Sequence, residues 1–190
     1  DKTDLLRRLA AIAGGESAAG PVAAAWACFE RVWSQYPFDL GVLYHGPLTR
    51  GPAYQLHLER EARLPRVYNW GWERDRQPQF YAYDPEKWLG FLKAPDVIRT
   101  FREMAEQWQE GVGALEEGLR VSGADKGIER QWAVAAAIRL HFLSAANVTE
   151  FYGLRDRILG TPEARRGALL RRMRELVEQE VEVAEALKPL

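Results

Sequence analysis

Hydrophobic positions recur at helical spacing over both ends of this 190-residue chain and lose that spacing in between. Thr3 or Asp4 is placed to cap a short first helix that runs to about Ala13 and stops at Gly14-Gly15. Pro21 suits the first turn of a second helix through about Ser34. Its residues Val22, Trp26, Phe29 and Trp33 follow at spacings of four, three and four, which predicts one buried face before Pro37 ends the run. Periodicity returns at Pro95. Asp96 is the expected cap of a helix with Val97, Phe101, Met104, Trp108, Val112, Leu115 and Leu119 on one side. Gly111, Gly113 and Gly118 each weaken it by up to ~1 kcal/mol relative to Ala, while their small size permits a neighbouring helix to come close. A long helix then runs from about Asp125 to Leu159, with Ile128, Trp132, Ala135, Phe142, Ala146 and Phe151 roughly along one side. Gly160 and Pro162 separate it from a last helix bearing Leu169, Met173, Leu176, Val177, Val181, Ala184 and Leu187, which stops at Pro189.

Residues 35–95 resist a regular assignment. Leu40 to Tyr44 reads as a short strand and Tyr54 to Leu58 alternates weakly, while Gly41, Gly46, Pro47, Gly51, Pro52 and Pro65 interrupt the stretch. It is dense in aromatic residues, as in Val67-Tyr-Asn-Trp-Gly-Trp-Glu-Arg-Asp-Arg and Phe80-Tyr-Ala-Tyr. The pattern predicts a mainly α fold: an antiparallel helical bundle with an inserted irregular segment rich in aromatic, Pro and Gly residues. It reads as one domain over 1–190, with N-terminal helices at 1–34, the aromatic segment at 35–95 and a three-helix bundle at 96–188. Irregular aromatic chain on a helical scaffold is the usual makeup of a recognition surface.

Composition narrows the function classes. Hydrophobic residues are 47% of the chain and seven are Trp, so a real core can form. A formal net charge of -1 gives no electrostatic reason to expect nucleic acid, whose affinity comes largely from Lys and Arg on phosphates. The cluster Arg165, Arg166, Arg171, Arg172 and Arg174 is followed directly by Glu175, Glu178, Glu180, Glu182 and Glu185, which reads as a solvated helix face. Cys28 is the one cysteine. It excludes an intramolecular disulfide and a thiolate-rich zinc site, and reads as a small buried thiol. No stretch approaches the ~18 to 20 apolar residues of a membrane span, and no signal peptide is evident. We therefore expect a cytoplasmic chain with no membrane or nucleic-acid partner. The start at Asp1, without Met, suggests part of a longer protein.

Candidate chemistry is sparse. No Gly-rich phosphate loop, HExxH pattern or GxSxG elbow occurs, and no metal or cofactor is implied. His45, in Tyr44-His-Gly-Pro, sits in an apparent turn that either presents the ring to a cleft or bonds it to backbone. His57 falls in a polar segment and is expected to be exposed. His141, Ser144, Asn147 and Glu150 are successively three apart and share a broad stripe on their helix. Bordered by Phe142, Phe151 and Leu154, these groups must be hydrogen-bonded. They make either a buried network that fixes helix register or a polar patch facing a ligand cleft. Trp70, Trp72 and Arg74 mix stacking faces with polar groups, which suits a sugar and equally suits a protein interface. Glu73 and Asp75, two apart in a loop, set no defined separation for a glycosidase pair.

Trp26-Ala-Cys-Phe-Glu-Arg-Val-Trp-Ser-Gln-Tyr-Pro-Phe, Gly41-Val-Leu-Tyr-His-Gly-Pro and Gly51-Pro-Ala resemble the region after the catalytic barrel in a group of uncharacterised bacterial glycoside-hydrolase-like proteins. Met104-Ala-Glu-Gln-Trp-Gln-Glu-Gly and the block from His141 to Asp156 are similar to the same group, so the resemblance covers most of residues 5–187. It implies a C-terminal helical appendage on a TIM-type barrel in a carbohydrate-handling parent. Barrel active sites lie at the C-terminal ends of the strands, so the appendage itself is expected to be non-catalytic. On this reading the partners are the parent's catalytic barrel and a carbohydrate, and the candidate ligand contacts are Tyr44, His45, Trp70, Trp72, Arg74, His141 and Asn147. Without the barrel, an exposed apolar patch or homo-oligomer is expected. Two alternatives stay open: a protein-interaction module using the Trp-rich loop, and a small enzyme with His45 or His141 as general base.

Overall fold

The structure is a computed structural model that describes residues 1–49, 56–59 and 84–190. Helix α1 spans Lys2–Gly14, α2 Ala19–Trp33, α3 Leu40–His45, α4 Pro85–Trp88, α5 Ala94–Ser122, α6 Lys126–Leu159 and α7 Gly167–Leu187. Two 3-10 turns, Pro47–Thr49 and Glu163–Arg165, complete the described elements. The chain is a helical bundle, as the apolar periodicity requires.

Helix boundaries follow their caps. Asp125 accepts from the backbone N–H groups of Gly127 and Ile128 and so starts α6 where expected. Gly123, at φ +70°, takes the left-handed conformation that closes α5. Helix α5 begins at Ala94, ahead of Asp96, because the fixed φ of Pro95 suits the first turn. Asp96 lies in that turn and pairs with Arg99 instead of capping. The strand expected at Leu40 to Tyr44 is a helix, α3. Asp39 accepts from Gly41 N at 2.7 Å, and this cap decides the local structure against the β-favouring residues Val42 and Tyr44.

Every long pairing is antiparallel in sequence order. Lys2 meets Glu30 across α1 and α2, and Phe29 lies against Gly111 and Val22 against Gly118 across α2 and α5. Trp108 Nε1 donates to Ala135 O at 2.9 Å, tying α5 to α6. The larger core joins α1, α2, α5 and the first half of α6. At its centre Phe29 stacks on Trp108 with centroids 4.3 Å apart, and Trp108 meets Phe142 edge-on at 5.4 Å. On α2 the buried positions are Ala19, Val22, Ala25, Cys28 and Val32. Of the four expected to share the buried face, Trp26 and Phe29 are half-buried and Trp33 is exposed, because the close approach runs through the small residues. A second, smaller core of Val148, Phe151, Tyr152, Leu154, Met173 and Leu176 holds α7 on the second half of α6. Helix α6 is therefore the central element, and from Ser144 to Thr149 it is buried on every side.

Candidate functional site

The polar stripe of α6 faces α7. Ser144 Oγ donates to Glu180 Oε2 at 2.7 Å, and Asn147 Nδ2 donates to Glu180 Oε1 at 3.0 Å. All three residues are buried, with Glu180 only 6% exposed. Burial pushes the Glu180 carboxyl above its ordinary value, and the two neutral donors offset only part of that. Glu180 belongs to the acidic run expected to be solvated. It is instead the one glutamate of that run that falls in the apolar register of Met173, Leu176 and Val183, all buried on α7.

Two turns from Ser144, Glu150 joins three helices. It accepts from Arg172 Nε at 2.7 Å and Arg172 Nη2 at 3.0 Å, and from Arg102 of α5 on its other side. Desolvation alone would raise its pKa, but the hydrogen bonds and charges of Arg172 and Arg102 together prevail and hold the carboxyl below the usual range. The same contacts raise the Arg172 guanidinium further. Next along α6, Arg155 is 2% exposed, with Nη2 on Asp156 Oδ1 at 2.8 Å and its guanidinium carbon 4.7 Å from the Tyr152 ring centroid. The Tyr152 hydroxyl accepts from His57 N at 3.3 Å, which places His57 against α6 and half-buried, not exposed as its polar segment suggested.

Among the sequence candidates, Asn147 has its amide engaged by Glu180, the arrangement of a network that fixes helix register. His141, one turn before Ser144, is half-buried, and desolvation lowers its pKa below the ordinary imidazole value. Tyr44 and His45 lie exposed at the end of α3. Trp70, Trp72 and Arg74, with Glu73 and Asp75, lie outside the described residues. Among the described residues no group of three or more His, Cys, Asp and Glu side chains is placed to hold a metal ion. Nor is any helix among them long and apolar enough to cross a membrane.

A second feature is the apolar surface around α3. Gly41 lies so close to α4 that a Cβ there would fall 2.1 Å from Trp88 O, so only glycine permits this contact. Trp88 itself is buried. Asp39 faces Gly90 across the same junction. The residues flanking these two, Phe38, Leu40 and Phe91, are exposed, Phe91 to 82%. Tyr44 is one turn from Leu40 on α3, and exposed Trp33 stacks on Tyr36 with centroids 5.3 Å apart. Sequence reasoning singled out Tyr44 here but not Trp33, Phe38 or Phe91. Trp33 was assigned to the core because its spacing fits the buried face.

Comparison of the chain with protein-family models, with curated proteins and with solved structures gives no match.

Proposed function

We propose that this chain is a non-catalytic helical domain of a glycoside-hydrolase-like protein, where it supports or lines a carbohydrate site completed by the catalytic barrel. The observation that carries this reading is the exposure of Phe38, Leu40 and Tyr44 in and beside α3 and of Phe91 after α4, together with Trp33 at the end of α2. Large rings exposed at helix ends and in the adjoining connections suit docking against another domain or stacking on a sugar face. The polar groups of α6 support the non-catalytic part: Ser144 and Asn147 both donate to Glu180 of α7 inside the fold. A cytoplasmic setting belongs to the same proposal and is supported by the single thiol, Cys28, which is buried and donates to Gln107 O at 3.3 Å.

The test is intrinsic Trp fluorescence during titration with mono- and oligosaccharides, repeated with Tyr44→Ala and Trp72→Ala. A saturable shift in the parent chain that either variant abolishes supports direct lining of a sugar site. No shift in a folded sample leaves the supporting role alone. Release of phenolate from aryl glycosides by the chain itself overturns the non-catalytic reading. An interaction module is the second reading, favoured by the same rings if saccharides give no response and Phe91→Asp abolishes docking to a protein partner.

A further inference from the structure

Helix α7 leaves an apolar stripe uncovered. Leu170, Val177 and Val181 are exposed, and at spacings of seven and four they fall within roughly 40° of arc on a helix of 3.6 residues per turn. Beside the stripe the charges are split by sign. Arg171 and Arg174 occupy the N-terminal half, and Glu178, Glu182 and Glu185 the C-terminal half. Arg171, Arg174, Glu178 and Glu182 are all exposed, and none of them forms an ion pair among the described residues.

This order opposes the dipole of the helix that carries it. An isolated helix is stabilised by acidic residues near its N-terminus and basic ones near its C-terminus. Helix α7 has no acidic residue in its first turn, no basic residue in its last, and Arg166 at its N-cap. The split therefore gives the helix dipole no support, whereas an antiparallel partner of the same sequence would set each half against charges of opposite sign.

We infer that the outer face of α7 is a self-association surface for a second copy of this chain, paired antiparallel about a two-fold axis near Val177. In that arrangement Val177 meets its own counterpart and Leu170 lies opposite Ala184. Arg174 faces Glu178, and Arg171 faces Glu182 and Glu185. Such an interface is isologous, with one patch complementary to itself. A parallel two-fold pairing would set this charged flank against the partner's other flank, where Met173 and Glu180 are buried, and leave the opposite charges unpaired across the seam. A membrane surface is a poorer occupant, because interfacial helices carry Lys and Arg along the polar face and half of this one is acidic. Helix α7 has 21 residues and is about 31 Å long, so one face buries less than the roughly 1,600 Å² of a standard interface. The dimer is thus concentration-dependent and weakens with salt.

The test is light scattering against concentration on the whole chain, with cross-linking of cysteine variants under mild oxidation. Cys28 is buried, so the unsubstituted chain is the control. Dimer formation is expected to rise with concentration and fall in high salt. Val177→Cys should cross-link to itself and Leu170→Cys should not, whereas Leu170→Cys mixed with Ala184→Cys should. Reversing Arg171→Glu with Arg174→Glu should weaken association at least tenfold, and adding Glu178→Arg with Glu182→Arg should restore it. All four positions are exposed, so the fold tolerates the changes, which circular dichroism checks. A chain that stays monomeric to its solubility limit overturns the inference. So does self-cross-linking of Leu170→Cys as strong as that of Val177→Cys, or failure of the fourfold reversal to restore association.

Discussion

Replacing Glu180 by leucine removes a carboxyl from the α6–α7 seam and leaves two donors behind, Ser144 Oγ and Asn147 Nδ2, both buried. An orphaned buried donor costs about 1–3 kcal/mol. Against this stand the relieved desolvation of the acid and the apolar burial of leucine, worth about 1.5–3 kcal/mol if complete. Two orphans at that cost, about 2–6 kcal/mol together, less the burial of leucine leave an expected net loss for Glu180→Leu of about 0.5–3 kcal/mol. The triple variant Ser144→Ala, Asn147→Leu, Glu180→Leu has no orphan, and should match or exceed the parent, as apolar replacements of buried polar groups often do. Glu180→Gln is the third arm. Its carbonyl accepts from Asn147 and its amide donates to the Ser144 hydroxyl, the same two bonds a protonated Glu180 makes. Burial raises the Glu180 carboxyl pKa, so the native state keeps this proton to higher pH than the unfolded chain. The stability this contributes is full below the unfolded glutamate value of about 4 and is lost as pH rises through the raised native value. The parent should therefore lose stability relative to Glu180→Gln as pH rises through that window. Urea denaturation followed by far-UV circular dichroism, at several pH values, measures all three arms. A parent-to-Gln difference that stays flat with pH refutes the titration argument. Glu180→Leu as stable as the triple variant refutes the orphaned-donor argument.

Four further substitutions, at three positions, follow from the same structure. Gly111→Ala should destabilise by about 1–3 kcal/mol in thermal melts, because its Cβ would fall 2.2 Å from Phe29 Cε1 and displace a ring stacked on Trp108. Gly113→Ala, on the same helix with nothing within 4 Å of its Cβ, should instead stabilise by up to ~1 kcal/mol. Glu150→Ala should cost about 2 kcal/mol in urea titrations, less than a fully buried pair because Arg102 and Arg172 are partly solvated. The lowered Glu150 pKa adds stability that is present above the unfolded glutamate value and lost as pH falls through the native one, so Glu150→Gln should flatten the acid limb.

Helices α5 and α7 were legible because each presents an apolar face, and part of that face is buried as its spacing indicates, with Phe101, Met104 and Trp108 on one and Met173 and Leu176 on the other. Val177 and Val181, expected in the same α7 face, are exposed, since a stripe read from spacing alone is wider than the groove that receives it. Periodicity fails on α6 for the opposite reason. A helix surrounded from Ser144 to Thr149 has no outer face to reveal. The stripe of Ser144, Asn147 and Glu150 was visible, but its partners were not, since Glu180 looked like one member of a solvated acidic run. Its place four residues after Leu176 and three before Val183 was the available signal. Local chemistry misled at α3, where Asp39 outweighs β-favouring side chains. The three glycines of α5 looked equivalent in sequence, yet Gly111 and Gly118 meet α2 whereas Gly113 meets nothing.

The separation of the two cores has a consequence for how the molecule opens. Helix α7 is held chiefly by the smaller core and by the bonds of Arg172 to Glu150 and of Glu180 to Ser144 and Asn147, while α1, α2 and α5 share the larger one. These are two cooperative units strung on a single helix. The α7 unit can detach with the larger core still closed, so amide exchange should fall into two tiers, with α7 amides leaving the slow tier first. A cut in the Gly160–Arg166 connection should then release α7 and leave a folded remnant containing α1, α2, α5 and the first half of α6.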